Sequence, residues 1–174
     1  QGDYKLIYDS DPHYFSTKLL VEQGVTKSSG VDMNFSMDKI DIKNTYVYTL
    51  IKFFGLYARQ DLNSHIWPEN IVQKESRNYI KIDINNVPDT LITKKLEVKS
   101  SFYPLVSKTG AGFNFRLNNN LSFRTGVGLR HDVNKDYYVF NSQVGDYFIY
   151  KEVKSIRQMG FEASLYGNIP VPIV

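Results

Sequence analysis

Two runs of alternating residues, Gly110 to Leu117 and Leu121 to Arg130, flank three asparagines, and a period of two on both sides of a turn commits this stretch to a β-hairpin. Asparagine tolerates the left-handed conformation that a three-residue loop needs, so Asn118 to Asn120 sets the register. Leu117 then meets Leu121, Phe115 meets Phe123 and Ala111 meets Val127. On the other face Arg116 meets Ser122, Asn114 meets Arg124, Gly112 meets Gly126 and Gly110 meets Gly128.

Alternation alone fits two folds: the apolar face packs inside a soluble sandwich, or it meets lipid while the polar face lines a barrel. The polar face separates them. A solvated strand face is expected to carry Lys, Glu and Thr, whereas this one carries four glycines with Arg116, Arg124, Arg130 and Asp132. Glycine weakens a strand and is most useful where bulky neighbours crowd a confined interior, which points to a small barrel. A later stretch repeats the pattern, with Met159, Phe161, Ala163 and Leu165 alternating with Gln158, Gly160, Glu162, Ser164 and Tyr166. Glu162 supplies a counter-charge for the arginines.

The same period runs through most of the chain. Phe15, Thr17, Leu19 and Val21 form a stripe ended by Gly24, and Val31, Met33, Phe35 and Met37 form another whose phase slips at Asp38-Lys39, as a bulge or turn would cause. Tyr46 to Arg59 is apolar on both faces apart from Thr49 and Lys52, which fits a doubly buried strand or a short helix. The polar stretch 60–78 contains Trp67-Pro68 and no alternation, and is expected to be a long surface loop. Strands are expected again at Tyr79 to Ile84 and through Leu96, Val98 and Phe102. Nothing divides residues 1–174, so a single all-β domain is expected.

Composition removes several function classes. Lys and Arg number 21 against 18 Asp and Glu, and a net charge of +3 is too weak to make nucleic acid the default partner, even with Tyr147, Phe148 and Tyr150 beside Lys151 and Lys154. The absence of cysteine excludes disulfides, thiolate metal sites and cysteine nucleophiles. His13, His65 and His131 have no zinc-site spacing. Asp132, Asn134 and Asp136 imitate the start of a calcium loop, but Tyr137 stands where glycine is needed and Gln143 where glutamate is. Gly126-Val127-Gly128 lies within a strand and so makes no phosphate cradle, and no Gly-x-Ser-x-Gly or His-Glu-x-x-His motif occurs. No catalytic group, metal or cofactor is expected. The chain has no apolar run of about 18 residues, hence no helical membrane span, while its 13 Tyr and 11 Phe suit amphipathic strands.

The stretch from Gly110 to Val133 resembles the hairpins of small bacterial outer-membrane β-barrels of the OmpA/OmpX type, and especially the PorT-like barrels of Bacteroidetes; the resemblance covers about residues 94 to 169. It implies an antiparallel up-and-down transmembrane β-barrel of about 8–10 strands, located in the bacterial outer membrane after removal of a signal peptide, with short periplasmic turns and longer outer loops. On this reading Arg116, Arg124, Arg130, Asp132, Glu162 and Tyr166 form a polar network in the lumen, at least one arginine pairing with Glu162 or Asp132. Phe113, Phe115, Phe123, Val127, Leu129, Phe161 and Leu165 face lipid. The expected role is structural or interactive, as a non-enzymatic subunit or accessory of a membrane complex that meets a protein partner through the loops at 60–78 and 133–143. The family's last strand ends in an aromatic residue, whereas this chain ends Pro170-Val171-Pro172-Ile173-Val174, a departure that implies either a truncated chain or a barrel reading that is wrong or incomplete. Asp89-Thr90-Leu91 resembles the O-glycosylation site of exported Bacteroidetes proteins. The rival expectation is a soluble exported β-sandwich that binds a protein or glycan, with Phe113, Phe115, Phe123, Val127 and Leu129 as its core; a lipocalin-like carrier is a third.

Overall fold

The structure, a computed structural model, describes residues 1–26, 34–118 and 121–167. It contains eleven strands: β1 Gly2–Ser10, β2 His13–Thr26, β3 Asn34–Ile51, β4 Phe54–Ser64, β5 Glu69–Ile82, β6 Pro88–Lys99, β7 Leu105–Asn118, β8 Leu121–Val133, β9 Tyr138–Val144, β10 Tyr147–Glu152 and β11 Ile156–Gly167. They form two sheets, one of seven strands in the order β1-β2-β3-β4-β7-β8-β11 and one of four in the order β6-β5-β10-β9. All seven strands of the large sheet pair antiparallel with their neighbours. Its edges are β1 and β11, and no pairing joins them among the described residues.

The large sheet is a meander into which two hairpins have been inserted. β5-β6 rises between β4 and β7, β9-β10 rises between β8 and β11, and the two join through a parallel pairing of β5 with β10. Both insertions leave from the same end of the meander. At the opposite end the fully described connections are tight, Asp11-Pro12 between β1 and β2 and Lys52-Phe53 between β3 and β4. The small sheet has its own core of Tyr79, Leu96, Val98 and Tyr150, with Phe148 and Tyr138 packed beside it. Cations cover these rings: Arg77 lies 5.1 Å from the Phe148 centroid and the Lys81 Nζ 4.0 Å from that of Tyr138.

The hairpin register agrees with the sequence pattern from Gly110↔Gly128 to Arg116↔Ser122, and departs only at the turn, where Leu117 bulges out and Asn118 takes its place opposite Leu121. Asn119 and Asn120 lie outside the described residues. Other expectations need correction. Tyr46 to Arg59 is neither a helix nor one strand: it contains the end of β3, the Lys52-Phe53 turn and the start of β4. The expected loop 60–78 is mostly strand, since β4 continues to Ser64 and β5 starts at Glu69, and 133–143 includes most of β9. Both segments hide their alternation because register shifts interrupt the pairing, between Val72 and Arg77 in β5 and beside Asn141 in β9. The slip near Asp38 is a shift of register in which Ser36 is passed over between Val25↔Phe35 and Gly24↔Met37. Eleven strands in two sheets replace the expected 8–10 in one.

Candidate functional site

Directly opposed residues share a face, so the registers sort every described side chain of the seven-stranded sheet. On one face stand nine Lys or Arg and seven Asp or Glu; on the other only Asp38 and Arg157 are charged, both near the end that carries the insertions. The uncharged face is the uncovered one. Phe113, Val127, Leu129, Met159 and Leu165 are exposed there, Phe161 is 96% exposed, and the buried residues of this sheet include Val47, Tyr57 and Asn114 on the charged face. This distribution is the reverse of a soluble domain, where burial drives apolar side chains inward. The small sheet does not cover the apolar face; the two sheets meet where β5 approaches β3.

The charged face is centred on Glu162 of β11. Its carboxylate accepts hydrogen bonds from the Tyr57 hydroxyl at 2.5 Å, from Arg59 Nε at 3.1 Å and from an Arg59 terminal nitrogen at 2.5 Å. Arg59 also bonds Asp61 at 3.1 Å. Tyr57 and Arg59 belong to β4, three strands from β11, a separation of about 14 Å measured along a flat sheet at about 4.8 Å per strand. Their contact requires the sheet to curl with this face concave.

Glycines make that reach possible. Gly110, Gly128 and Gly160 lie side by side on β7, β8 and β11, and Gly112 lies beside Gly126 in the next row. A Cβ at Gly110 would stand 2.8 Å from Glu162 Cδ, and one at Gly128 would stand 2.9 Å from Oε2. A Cβ at Gly126 would stand 2.8 Å from Gly112 Cα, so these strands approach too closely for any side chain. The glycine patch is therefore a trough in which the Glu162 side chain crosses two strands.

A second layer lies below. Arg124 donates from Nε to Asn114 Oδ1 at 3.0 Å, and its guanidinium lies 4.4 Å from the centroid of Tyr166 and 5.8 Å from that of Tyr57. Above, Arg130 makes a two-pronged pair with Asp132, at 2.8 and 2.7 Å.

All six residues expected in the polar network thus share one face. Arg130 pairs with Asp132, and Arg124 joins Tyr166. Arg116 is exposed near the turn, with Ser122 opposite, and stands apart from the Glu162 cluster. The seven expected lipid-facing residues share the other face. The sequence reading missed Tyr57 and Arg59, the partners of Glu162. Their signal was present as Tyr57, Arg59 and Asp61 alternating with Leu56, Ala58 and Gln60, but it emerges only once a turn is placed at Lys52-Phe53.

The three histidines serve local bonds. His13 Nδ1 lies 2.8 Å from the Tyr46 hydroxyl, His65 Nε2 lies 3.0 Å from Ser100 O, and His131 Nε2 accepts from Arg157 Nε at 3.2 Å. Among the described residues no group of three or more His, Cys, Asp or Glu could hold a metal. No helix is long and apolar enough to cross a membrane, which says nothing about crossing by strands. No protein-family model, curated protein or solved structure matches the chain.

Proposed function

We propose that this chain forms the wall of a small β-barrel of the bacterial outer membrane, with a structural or interaction role and no enzymatic activity. The observation that carries the reading is the inverted distribution of charge: sixteen charged side chains face the concave side and two face the uncovered apolar side. Lipid is the solvent that makes this arrangement favourable.

Three further features agree with it. The stretches 13–21, 40–48, 54–62 and 121–129 are each nine residues long with no charge on the apolar face, close to the about 9–11 residues a tilted strand needs to cross the hydrocarbon. Tyr8, Phe15, Tyr46, Tyr48, Phe54 and Phe123 descend along that face from β1 to β8, as an aromatic girdle does when strands tilt across a membrane. Connections are tight at one end and long at the other, which matches periplasmic turns and outer loops.

In this barrel the Tyr57, Arg59 and Glu162 cluster fills the lumen, so the protein does not conduct. The four-stranded sheet stands outside the membrane as the surface offered to a protein partner, in place of the loops expected at 60–78 and 133–143. The test is extraction. Membranes bearing the protein are washed with high salt and alkaline carbonate and then with detergent. Release only by detergent supports the reading; release by salt as a monomer stable in plain buffer overturns it.

A further inference from the structure

On the barrel reading lipid is the neighbour of the apolar face, and that face is not uniform along its height. Across β7, β8 and β11 the registers set Ser107, His131 and Arg157 in one row, Thr109, Leu129 and Met159 in the next, and Ala111, Val127 and Phe161 in the third. Polar groups stand at the end that carries the insertions, and apolar ones below them. His131 lies as far beyond Val127 along β8 as Phe123 lies short of it, and Phe123 belongs to the aromatic girdle. The row of Arg157 therefore stands at the opposite boundary of the hydrocarbon, level with lipid headgroups.

The two charged residues of this face differ in what answers their charge. Asp38 accepts backbone N–H bonds from Ile66, at 3.0 Å, and from Trp67, at 2.6 Å, so it is satisfied within the fold. Arg157 has no carboxylate within 4 Å among the described residues. Its Nε donates to His131 Nε2 at 3.2 Å. An imidazole offers a lone pair but no negative charge, so the cation is held and not neutralised. That bond keeps the guanidinium against the wall. It leaves the two terminal nitrogens, which have no partner among the described residues, as a fork that matches two oxygens of one phosphate.

A cavity of about 420 Å³ opens here, lined by Ser107, Thr109, Leu129, His131, Arg157 and Met159. Arg130 also borders it, but is already paired with Asp132. The upper row offers a hydroxyl and a cation, and the lower row an apolar wall that Met159 and Phe161 continue, both of them bare. A polar head above an apolar flank is the profile of an amphiphile and not of a free ion.

We infer that Arg157, held in place by His131, binds the phosphate of an anionic lipid at the end of the barrel that carries the insertions. This rests on the barrel reading and adds a ligand to it. The phosphate meets the two terminal nitrogens of Arg157, the Ser107 and Thr109 hydroxyls donate to the ester oxygens, and an acyl chain descends over Leu129, Met159 and Phe161. His131 is a positioning residue. A lipid whose phosphate is balanced by its own choline is the weaker ligand, because its charge already has a counter-ion.

The full chain is reconstituted into phosphatidylcholine bilayers with a trace of spin-labelled phosphatidic acid or spin-labelled phosphatidylcholine. Electron paramagnetic resonance reads the fraction of each label whose motion the protein restricts. One cation near a headgroup is worth about a fivefold preference, and phosphatidic acid should be preferred by at least that factor. Arg157→Gln should abolish the preference, and His131→Leu should reduce it. Lys135→Gln, which removes an exposed charge from the connection at the same end, should leave it unchanged. An equal fraction of restricted phosphatidylcholine in every variant shows that the wall is intact. Equal restriction of the two lipids by the native chain, or a preference that survives Arg157→Gln, overturns the inference and leaves the barrel standing. An unchanged preference in His131→Leu overturns the positioning role. A preference abolished by inorganic phosphate at the same phosphate concentration shows a site for the free ion and overturns the lipid as source. No restricted lipid of either kind overturns the barrel and the inference together.

Discussion

The glycine row offers a matched pair of substitutions that isolates the Glu162 cluster. Gly110→Ala and Gly160→Ala add the same methyl group to the same row of the same face. At Gly110 the new Cβ would stand 2.8 Å from Glu162 Cδ, whereas at Gly160 nothing lies within 4 Å. The carboxylate must move, and in moving it leaves Arg59 and Tyr57. Overpacking alone costs about 1–3 kcal/mol, and breaking a fully buried ion pair costs about 3–5 kcal/mol. The Arg59 side chain is 26% exposed and that of Glu162 15%, so water recovers part of the loss. The expected destabilisation for Gly110→Ala is about 2–3 kcal/mol. Gly160→Ala should be neutral or stabilising by up to about 1 kcal/mol, because alanine loses less backbone entropy. Urea unfolding in detergent micelles, followed by tyrosine fluorescence and heat-dependent gel mobility, measures both. Glu162→Ala removes the obstacle, so adding Gly110→Ala to it should cost little further. Equal effects of the two glycine substitutions, or strict additivity with Glu162→Ala, would refute the trough.

Other substitutions probe separate parts of the fold. Phe123→Arg places a charge on the apolar face at the level of the aromatic girdle and should cost about 0–1 kcal/mol, whereas Val127→Arg, four residues further from the turn, should cost about 2–4 kcal/mol, read from folding yield into vesicles; full yield for Val127→Arg would contradict lipid contact there. The buried Tyr79 hydroxyl has no hydrogen-bond partner among the described residues, so Tyr79→Phe should leave the small sheet unchanged or stabilise it by about 1 kcal/mol, and a lowered urea midpoint would show the hydroxyl is needed. Burial lowers the pKa of His65 below its ordinary 6.5, so the folded state favours the neutral ring. As pH falls below about 6.5 the unfolded chain takes up the proton first, and stability should be full above that value and decline below it. His65→Gln should flatten the decline between about pH 7 and pH 5, and an unchanged slope would exclude His65 as its source.

What the sequence made legible follows from which interactions are local. The β7-β8 hairpin could be read pair by pair because its turn lies beside it and every residue from Gly110 to Arg116 has its partner within the same short stretch. The sorting of Phe123 and Arg124 to opposite faces needed nothing more than a period of two. The partners of Glu162 could not be found that way, since Arg59 lies 103 residues away and meets it only because the sheet curls. The arginines that the hairpin itself supplied were the nearer candidates, and two of them found other company: Arg124 between Tyr166 and Tyr57, Arg130 on Asp132. The small sheet was hidden for a different reason. β5 and β9 are polar or bulged on part of their length, and β5 pairs in parallel with a strand nearly seventy residues later, Tyr147↔Asn78, which leaves no mark on local sequence.

The central claim is that lipid, and not protein or water, covers the face bearing Phe123, Val127 and Leu129. With no native cysteine to remove, single cysteines at positions 121 to 129 can each carry a nitroxide spin label in the chain reconstituted into phosphatidylcholine bilayers. Collisions with oxygen, which dissolves in lipid, and with a water-soluble nickel chelate are then measured at every position. The account predicts a period of two: high oxygen and low nickel accessibility at 121, 123, 125, 127 and 129, and low oxygen accessibility at 122, 124, 126 and 128. Odd positions that collide freely with nickel, or that are shielded from both reagents as in a packed protein core, would contradict it.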